Sequence, residues 1–325
     1  MASPRAKTFA PTFAKTFAKT FANTLTFLCG LAFVPWIDGD TPGPAPSSER
    51  IAELVARPVP FFYDLYTFRG DGAATTVVAA IAVPAGELRR ERRDGRVRYR
   101  FDVRFVLADT ARLDVVNTQD SVFVSLARPL SRQHLLHTYV EVLARPSAST
   151  LQRVIVTDVT RPGAGQLYNS PFPIPDYSGS ELMLSDVAFG LPEAGQGWDR
   201  NGVTLALLPT SQVPEISFDL YYEIYNLPAG NRYATEIAIS SLEQEDDGFQ
   251  EIRASFFGEA APQEDGVVQE LRRIESPLPA GRYRVTITVR DEISGQVAQR
   301  FRDVDVRGWD AGTTMVPAMP YTTVY

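Results

Sequence analysis

"PLPAGRYRVTITVRDEISGQVAQRFRDVDV", residues 277–306, decides the fold. Within it Tyr283, Val285, Ile287 and Val289 alternate with Arg282, Arg284, Thr286, Thr288 and Arg290. Side chains two residues apart share one face of an extended chain, so this period describes a half-buried strand and not a helix. "DEISG", residues 291–295, turns the chain, and "QVAQRFRDVDV" returns beside it. The expected product is an antiparallel hairpin at the surface of a sandwich.

The same grammar extends outward. In "PEISFDLYYEIYNLPAGNRYATEIAIS" Ile216, Phe218, Leu220, Tyr222 and Ile224 share a face, and after the "NLPAGN" turn so do Tyr233, Ile237 and Ile239. "TTVVAAIAV", residues 75–83, is apolar without a break, as expected of a strand buried on both sides. Asp94-Gly95 is the dipeptide of a tight type I′ hairpin, whose two central residues need positive φ. After it Val97, Tyr99, Phe101, Val103, Phe105 and Leu107 alternate with Arg98, Arg100, Asp102 and Arg104. "RPGAGQLYNSPFPIPDYSGSE" is rich in Pro, Gly and Ser and marks a border. With 24 prolines, 22 glycines and 11% aromatic residues, the chain reads as all-β. The expected layout is two tandem antiparallel β-sandwich domains, 58–176 and 177–308, with a tail or added edge strand at 309–325.

The first 57 residues have a different character. Arg5, Lys7, Lys15 and Lys19 precede the apolar run "TLTFLCGLAFVPW" with no acidic residue among them, the order of an export signal. The run is well short of the ~20 apolar residues of a spanning helix. Leu28 stands where a small residue normally precedes a lipid-anchored Cys29, so cleavage after Ala32 is favoured over a lipid anchor. Residues 1–32 are then a signal peptide and 33–57 a linker with a short helix at "SSERIAELVARP". The mature chain would hold no lysine and no cysteine, which excludes disulfides, thiolate nucleophiles, zinc–cysteine sites and Schiff-base lysines. Losing four positive charges and no negative ones moves the net charge from −7 to −11, which argues against nucleic acid as a partner.

Candidate sites are few. His134 and His137 in "HLLH" lead into a strand, where positions three apart face opposite ways; they are expected to be a loop and a surface-strand histidine, with no metal. With only these two histidines and no Gly-x-Ser-x-Gly elbow, a serine hydrolase is disfavoured. Glu243, Glu245, Asp246 and Asp247 crowd one loop, at a spacing that matches no EF-hand. The arginines from Arg89 to Arg104 are interleaved with Glu87, Glu91, Asp94 and Asp102 and read as a solvated sheet face. Trp198, Tyr221 and Tyr225 are the aromatics expected to be partly exposed, as a binding platform for a protein or a sugar, unless the other domain covers that sheet.

Leu278, Pro279, Gly281 and Tyr283, followed by the alternation and Asp291, resemble the penultimate-strand signature of immunoglobulin-like and fibronectin type III-like sandwiches. The resemblance implies a tyrosine corner, in which that hydroxyl folds back to the backbone. "ELMLSDVAFG" (181–190), "DLYYEIYNL" (219–227) and "LPAGRYRVTITVRDEISG" (278–295) are similar to β-sandwich regions of exported bacterial proteins that accompany GWxTD domains. The GWxTD string is missing: Gly197-Trp198 and Gly308-Trp309 continue differently. This likeness implies an envelope, periplasmic or secreted location and no activity. The expectation is a non-enzymatic interaction or structural module without cofactor, engaging proteins through sheet edges or the interdomain cleft. A carbohydrate-binding module is the alternative, and a hydrolase relying on two carboxylates the third reading. Pro317, Pro320 and irregular strands disfavour a membrane barrel.

Overall fold

Two-residue alternation runs through the whole described chain. Apart from one 3-10 turn at Thr210–Gln212, every regular element among the described residues is a strand. The computed structural model describes residues 58–192, 197–215, 217–243, 251–261, 266–275, 278–307, 316–317 and 319–320. The stretches expected to be a signal segment and a linker with a short helix, and Ile216, Glu245, Asp246, Asp247, Trp309 and most of the 309–325 segment, lie outside the described residues.

The strands are β1 (Phe62–Arg69), β2 (Thr75–Pro84), β3 (Glu91–Arg93), β4 (Arg96–Asp109), β5 (Asp114–Leu126), β6 (Leu135–Ala144), β7 (Thr150–Asp158) and β8 (Gly165–Pro171). The second half supplies β9 (Met183–Leu184), β10 (Ala188–Pro192), β11 (Trp198–Arg200), β12 (Val203–Leu208), β13 (Val213–Pro214), β14 (Phe218–Tyr225), β15 (Arg232–Ser241), β16 (Ile252–Glu259), β17 (Val267–Ile274), β18 (Gly281–Asp291) and β19 (Val297–Arg307). Two short pieces follow, β20 (Val316–Pro317) and β21 (Met319–Pro320).

They build four sheets. The first sandwich pairs an outer sheet, β21-β5-β4-β7-β8, with an inner sheet, β1-β2-β6-β20. The second pairs an inner sheet, β11-β12-β10-β14-β17, with an outer sheet, β13-β19-β18-β15-β16. Strand pairing is antiparallel except where β13 meets β19 and β20 meets β6. The C-terminal pieces thus do add edge strands, and they add them to the first sandwich: β20 beside β6, β21 beside β5.

One hydrophobic core fills the first sandwich, with Phe101, Val103, Phe105, Val154 and Val156 against Val77, Ala79, Ile81 and Val83. A second core joins Leu220, Tyr222 and Ile224 to Ile237, Ile239, Val285 and Ile287, and it continues to Tyr66, Phe68, Val78 and Ala80 of the first sandwich. The two inner sheets are therefore covered on both faces. That is why "TTVVAAIAV" has no polar side, and why all eight residues of β14 are buried. At β18 the alternation behaves as the sequence requires, with Tyr283, Val285, Ile287 and Val289 inside. Its first aromatic makes the expected corner: the Tyr283 hydroxyl donates to the Pro279 carbonyl at 2.9 Å. Asp94 and Gly95 take φ of 53° and 71°, the tight hairpin expected of them. Asn201 and Gly202, at φ 53° and 84°, make a similar turn between β11 and β12.

Candidate functional site: the seam between the sandwiches

The three aromatics expected to be partly exposed come together here, and none is exposed. Trp198 is 1% exposed, and Tyr221 and Tyr225 are 0%. Their strand face, opposite Leu220 and Tyr222, is the face that the first sandwich covers. Phe68 of β1 stacks on Trp198 with ring centres 5.1 Å apart, and Tyr221 meets Trp198 edge-on at 5.4 Å. The Arg200 guanidinium lies over Phe68 at 4.8 Å, and that of Arg69 over Tyr225 at 4.3 Å. This corrects the expectation of an open platform: the rings are consumed in holding two sheets together.

Glu223 sits at the centre of the seam. It shares the face of Asp219, Tyr221 and Tyr225 on a fully buried strand, and its own side chain is fully buried. Arg200 grips it with two bonds, Nε to Oε1 at 2.6 Å and Nη2 to Oε2 at 2.9 Å. The Tyr221 hydroxyl donates to Oε1 at 2.7 Å and the Tyr225 hydroxyl to Oε2 at 2.6 Å. Asn201 Nδ2 adds a bond of 3.3 Å. A carboxylate so saturated has its charge compensated in place. Burial, then the adjacent Glu223 charge, pushes both tyrosine hydroxyls far above their ordinary range. Burial opposes the charge on Arg200, but the bonds to Glu223 more than restore it and raise its pKa.

A second polar group lies along β1. Asp186 accepts from Arg300 Nε at 2.8 Å and from the Thr67 hydroxyl at 2.6 Å. Arg302 pairs with Asp64 at 3.4 Å, donates to the Leu65 carbonyl and lies over the Tyr66 ring at 5.0 Å. Both arginines occupy inward positions of β19, opposite Ile287 and Val285. Together the two groups satisfy the open side of β1. Its Thr67 and Arg69 amides donate to Asp186 and the Tyr225 hydroxyl, while its Leu65, Thr67 and Arg69 carbonyls accept from Arg302, the Asp186 amide and Arg200.

Sequence reasoning missed this network, although it left traces. Glu223 and Asp219 are charges sharing the parity of Tyr221 and Tyr225 in a strand rich in apolar residues, and Arg300 and Arg302 share the parity of Val304 and Val306. What it lacked was the partner sheet.

Two clefts open on the seam. One, of about 340 Å³, is lined by Arg69, Asp71, Glu141, Arg200, Asn201 and Glu223 among others. Glu141 there accepts from Trp198 Nε1 at 3.1 Å. The other, of about 360 Å³, is lined by Thr67, Ser147, Asp186, Arg300 and Arg302 with the 172–175 segment. Glu223 and Asp186, the carboxylates at the backs of the two clefts, are engaged by arginines and hydroxyls.

His134 lies in the loop before β6, as expected, but it and His137 are both 3% exposed, which corrects the expectation of a surface-strand histidine at His137. His137 lies opposite Ala82 in the doubly covered inner sheet. Burial holds its pKa down at about 4, with the Leu207 backbone offsetting only part of this and His134 adding to it. Among the described residues no cluster of histidine and carboxylate side chains is arranged to hold a metal. Nor is any helix among them long and apolar enough to cross a membrane.

No family model and no curated protein matches the chain. Among solved structures it is similar to red sea bream transglutaminase, at 14% identity and TM-score 0.24 over 75% of this chain and 31% of that one. It is also similar to a calcium-binding mutant of Bacteroides uniformis beta-glucuronidase 2, at 11% identity and TM-score 0.25 over 75% and 28%. A third is Escherichia coli alpha-2-macroglobulin activated by porcine elastase, at 9% identity and TM-score 0.24 over 74% and 22%. The chain spans less than a third of the length of each. Likenesses at these scores decide nothing about activity.

Proposed function

We propose that the chain is an exported, non-enzymatic structural or protein-interaction module of a bacterial envelope, made of two immunoglobulin-like sandwiches acting as one body. One observation carries this reading: the residues with chemical potential at the seam, Glu223, Arg200, Asp186, Arg300, Tyr221 and Tyr225, are spent on one another. Buried charges that neutralise one another in place favour a geometric role for this seam. The Tyr283 corner supports the immunoglobulin-like assignment, and the basic, then apolar, N-terminal segment supports export. Because β1 is capped, strand addition is expected at β8 or β16, each of which pairs on one side only among the described residues.

Crosslinking in the native envelope followed by affinity capture tests the reading. A reproducible protein partner is expected, lost when a proline is placed either in β16, at Arg253 or Ser255, or in β8, at Tyr168 or Ser170. Recovery of the chain alone from the envelope, or its retention in the cytosol with an uncut leader, would overturn it.

A further inference from the structure

The outer face of the first sandwich carries arginines that the seam does not use. Register places these side chains in rows: Phe123–Arg100, Ser121–Asp102–Thr157, Gln119–Arg104–Ile155–Leu167 and Asn117–Val106–Arg153–Asn169. Asp102 lies between Arg100 and Arg104 on this face, yet arginines outnumber the carboxylates across it. Asp94 is taken by Arg98 at 3.1 Å and Arg93 at 3.8 Å at the hairpin end, and Asp102 is held by the Ser121 hydroxyl at 2.7 Å. Arg96 is turned onto Ser125. Arg100, Arg104 and Arg153 are exposed and have no ion pair or side-chain hydrogen bond among the described residues. Arg104 and Arg153 are diagonal neighbours on adjacent strands, about 7–8 Å apart. Beside them a shallow bowl of about 450 Å³ is lined by Arg93, Arg98 and Arg100, by Glu91 and Asp102, and by Ser121, Phe123 and Val159.

This face stands out against the rest of the molecule. Residues 58–176 hold fifteen arginines and twelve acidic residues, whereas residues 177–308 hold eleven and twenty-two. A cationic patch on a chain of net charge −7 concentrates attraction for anions at one place. We infer that this face binds a polyanionic polysaccharide, one bearing carboxylate, sulfate or phosphate groups. Unpaired guanidiniums would take its anionic groups. The neutral side chains between them, Ser121, Gln119, Thr157, Asn117 and Asn169, match sugar hydroxyls, and the exposed Val159 in the bowl offers apolar surface to a pyranose ring. A protein partner would call for a broader apolar centre than this face has. Duplex nucleic acid presents phosphates without the pyranose hydroxyls that these amide and hydroxyl side chains match, and the test separates the two.

The inference goes beyond the exported-module reading and stands on this face alone, so failure to capture a protein partner leaves it untouched. The test titrates the full chain, by calorimetry and fluorescence anisotropy, with heparin-derived oligosaccharides, polygalacturonate, neutral dextran, a DNA duplex and vesicles containing anionic lipid. Binding to both acidic saccharides and not to dextran is expected, weakening with added salt. The triple variant R100E/R104E/R153E should lose at least tenfold in affinity at an unchanged melting temperature. R232E/R290E, on the second sandwich, should bind like the parent. Equal binding by the triple variant, equal binding of DNA or vesicles, or self-association that the triple variant abolishes without any saccharide binding would overturn it.

Discussion

Thr67 and Asp186 lock together through both backbone and side chain. The Thr67 amide donates to Asp186 Oδ2 at 3.0 Å, and the Asp186 amide donates to the Thr67 carbonyl at 3.0 Å. The Thr67 hydroxyl donates to the same carboxylate at 2.6 Å. A strand edge normally offers such groups to another chain; here the second sandwich fills them.

Asp186→Ala should therefore loosen the seam at β1. It removes the acceptor of the Thr67 amide, the Thr67 hydroxyl and Arg300 Nε, and leaves Arg300, with Arg302 beside it, short of a counter-charge. The expected loss is about 3 kcal/mol of unfolding free energy, reduced from the value for a wholly buried pair because Arg300 is partly exposed. Hydrogen exchange should quicken at Thr67 and Arg69 before it does so at Val103 or Val154. Uniform quickening of both sandwiches would contradict this picture of the edge.

Gly258 faces Tyr233 across the β15–β16 pair, and a Cβ there would run into the Tyr233 ring. The ring is held by its hydroxyl bond to Glu270, so it cannot swing away cheaply. Gly258→Val should cost about 1–3 kcal/mol despite its high β-propensity. Paired with Tyr233→Ala, which vacates the ring's place, the valine should become neutral or favourable in denaturant titrations.

How much of this was legible follows from what a one-dimensional pattern can carry. Tyr283–Val289 and Val97–Leu107 each state their own inside and outside, because parity is a local property. Asp94-Gly95 states its turn because positive φ is local too. "TTVVAAIAV" announced burial on both faces without naming its covers. Tyr221, Trp198 and Tyr225 were misread as partly exposed because cover comes from β1, more than a hundred residues away. His137 failed for the same reason: its parity on β6 shows a side, and only the second sandwich makes that side an interior.

His137 gives the stability a pH dependence. Its pKa is about 4 in the folded protein against 6.5 ordinarily, so the unfolded chain takes up the proton first as pH falls. Stability should drop between pH 6.5 and about 4 and gain no further contribution from this group below that. The full contribution is about 3 kcal/mol. His137→Leu should flatten that part of the profile in chemical denaturation at stepped pH, relative to the parent. Parallel profiles for the two proteins would show that the imidazole takes no part.

Glu223 and Arg200 form the pair on which the seam's geometry depends, and substitution can separate charge from shape. Glu223→Gln keeps the volume but leaves Arg200 without a counter-charge. It also turns an amide donor toward a tyrosine hydroxyl that now donates. A loss of about 3–5 kcal/mol is expected. Tyr225→Phe removes one bond to the carboxylate and the hydroxyl that accepts from the Arg69 amide, and should cost about 1–3 kcal/mol. Arg200→Met with Glu223→Leu removes both charges together, so the double variant should be more stable than Glu223→Gln alone. If the three variants instead fall in order of the number of bonds removed, the network acts through its hydrogen bonds and not through paired charge. Glu223 would then be an ordinary buried acceptor.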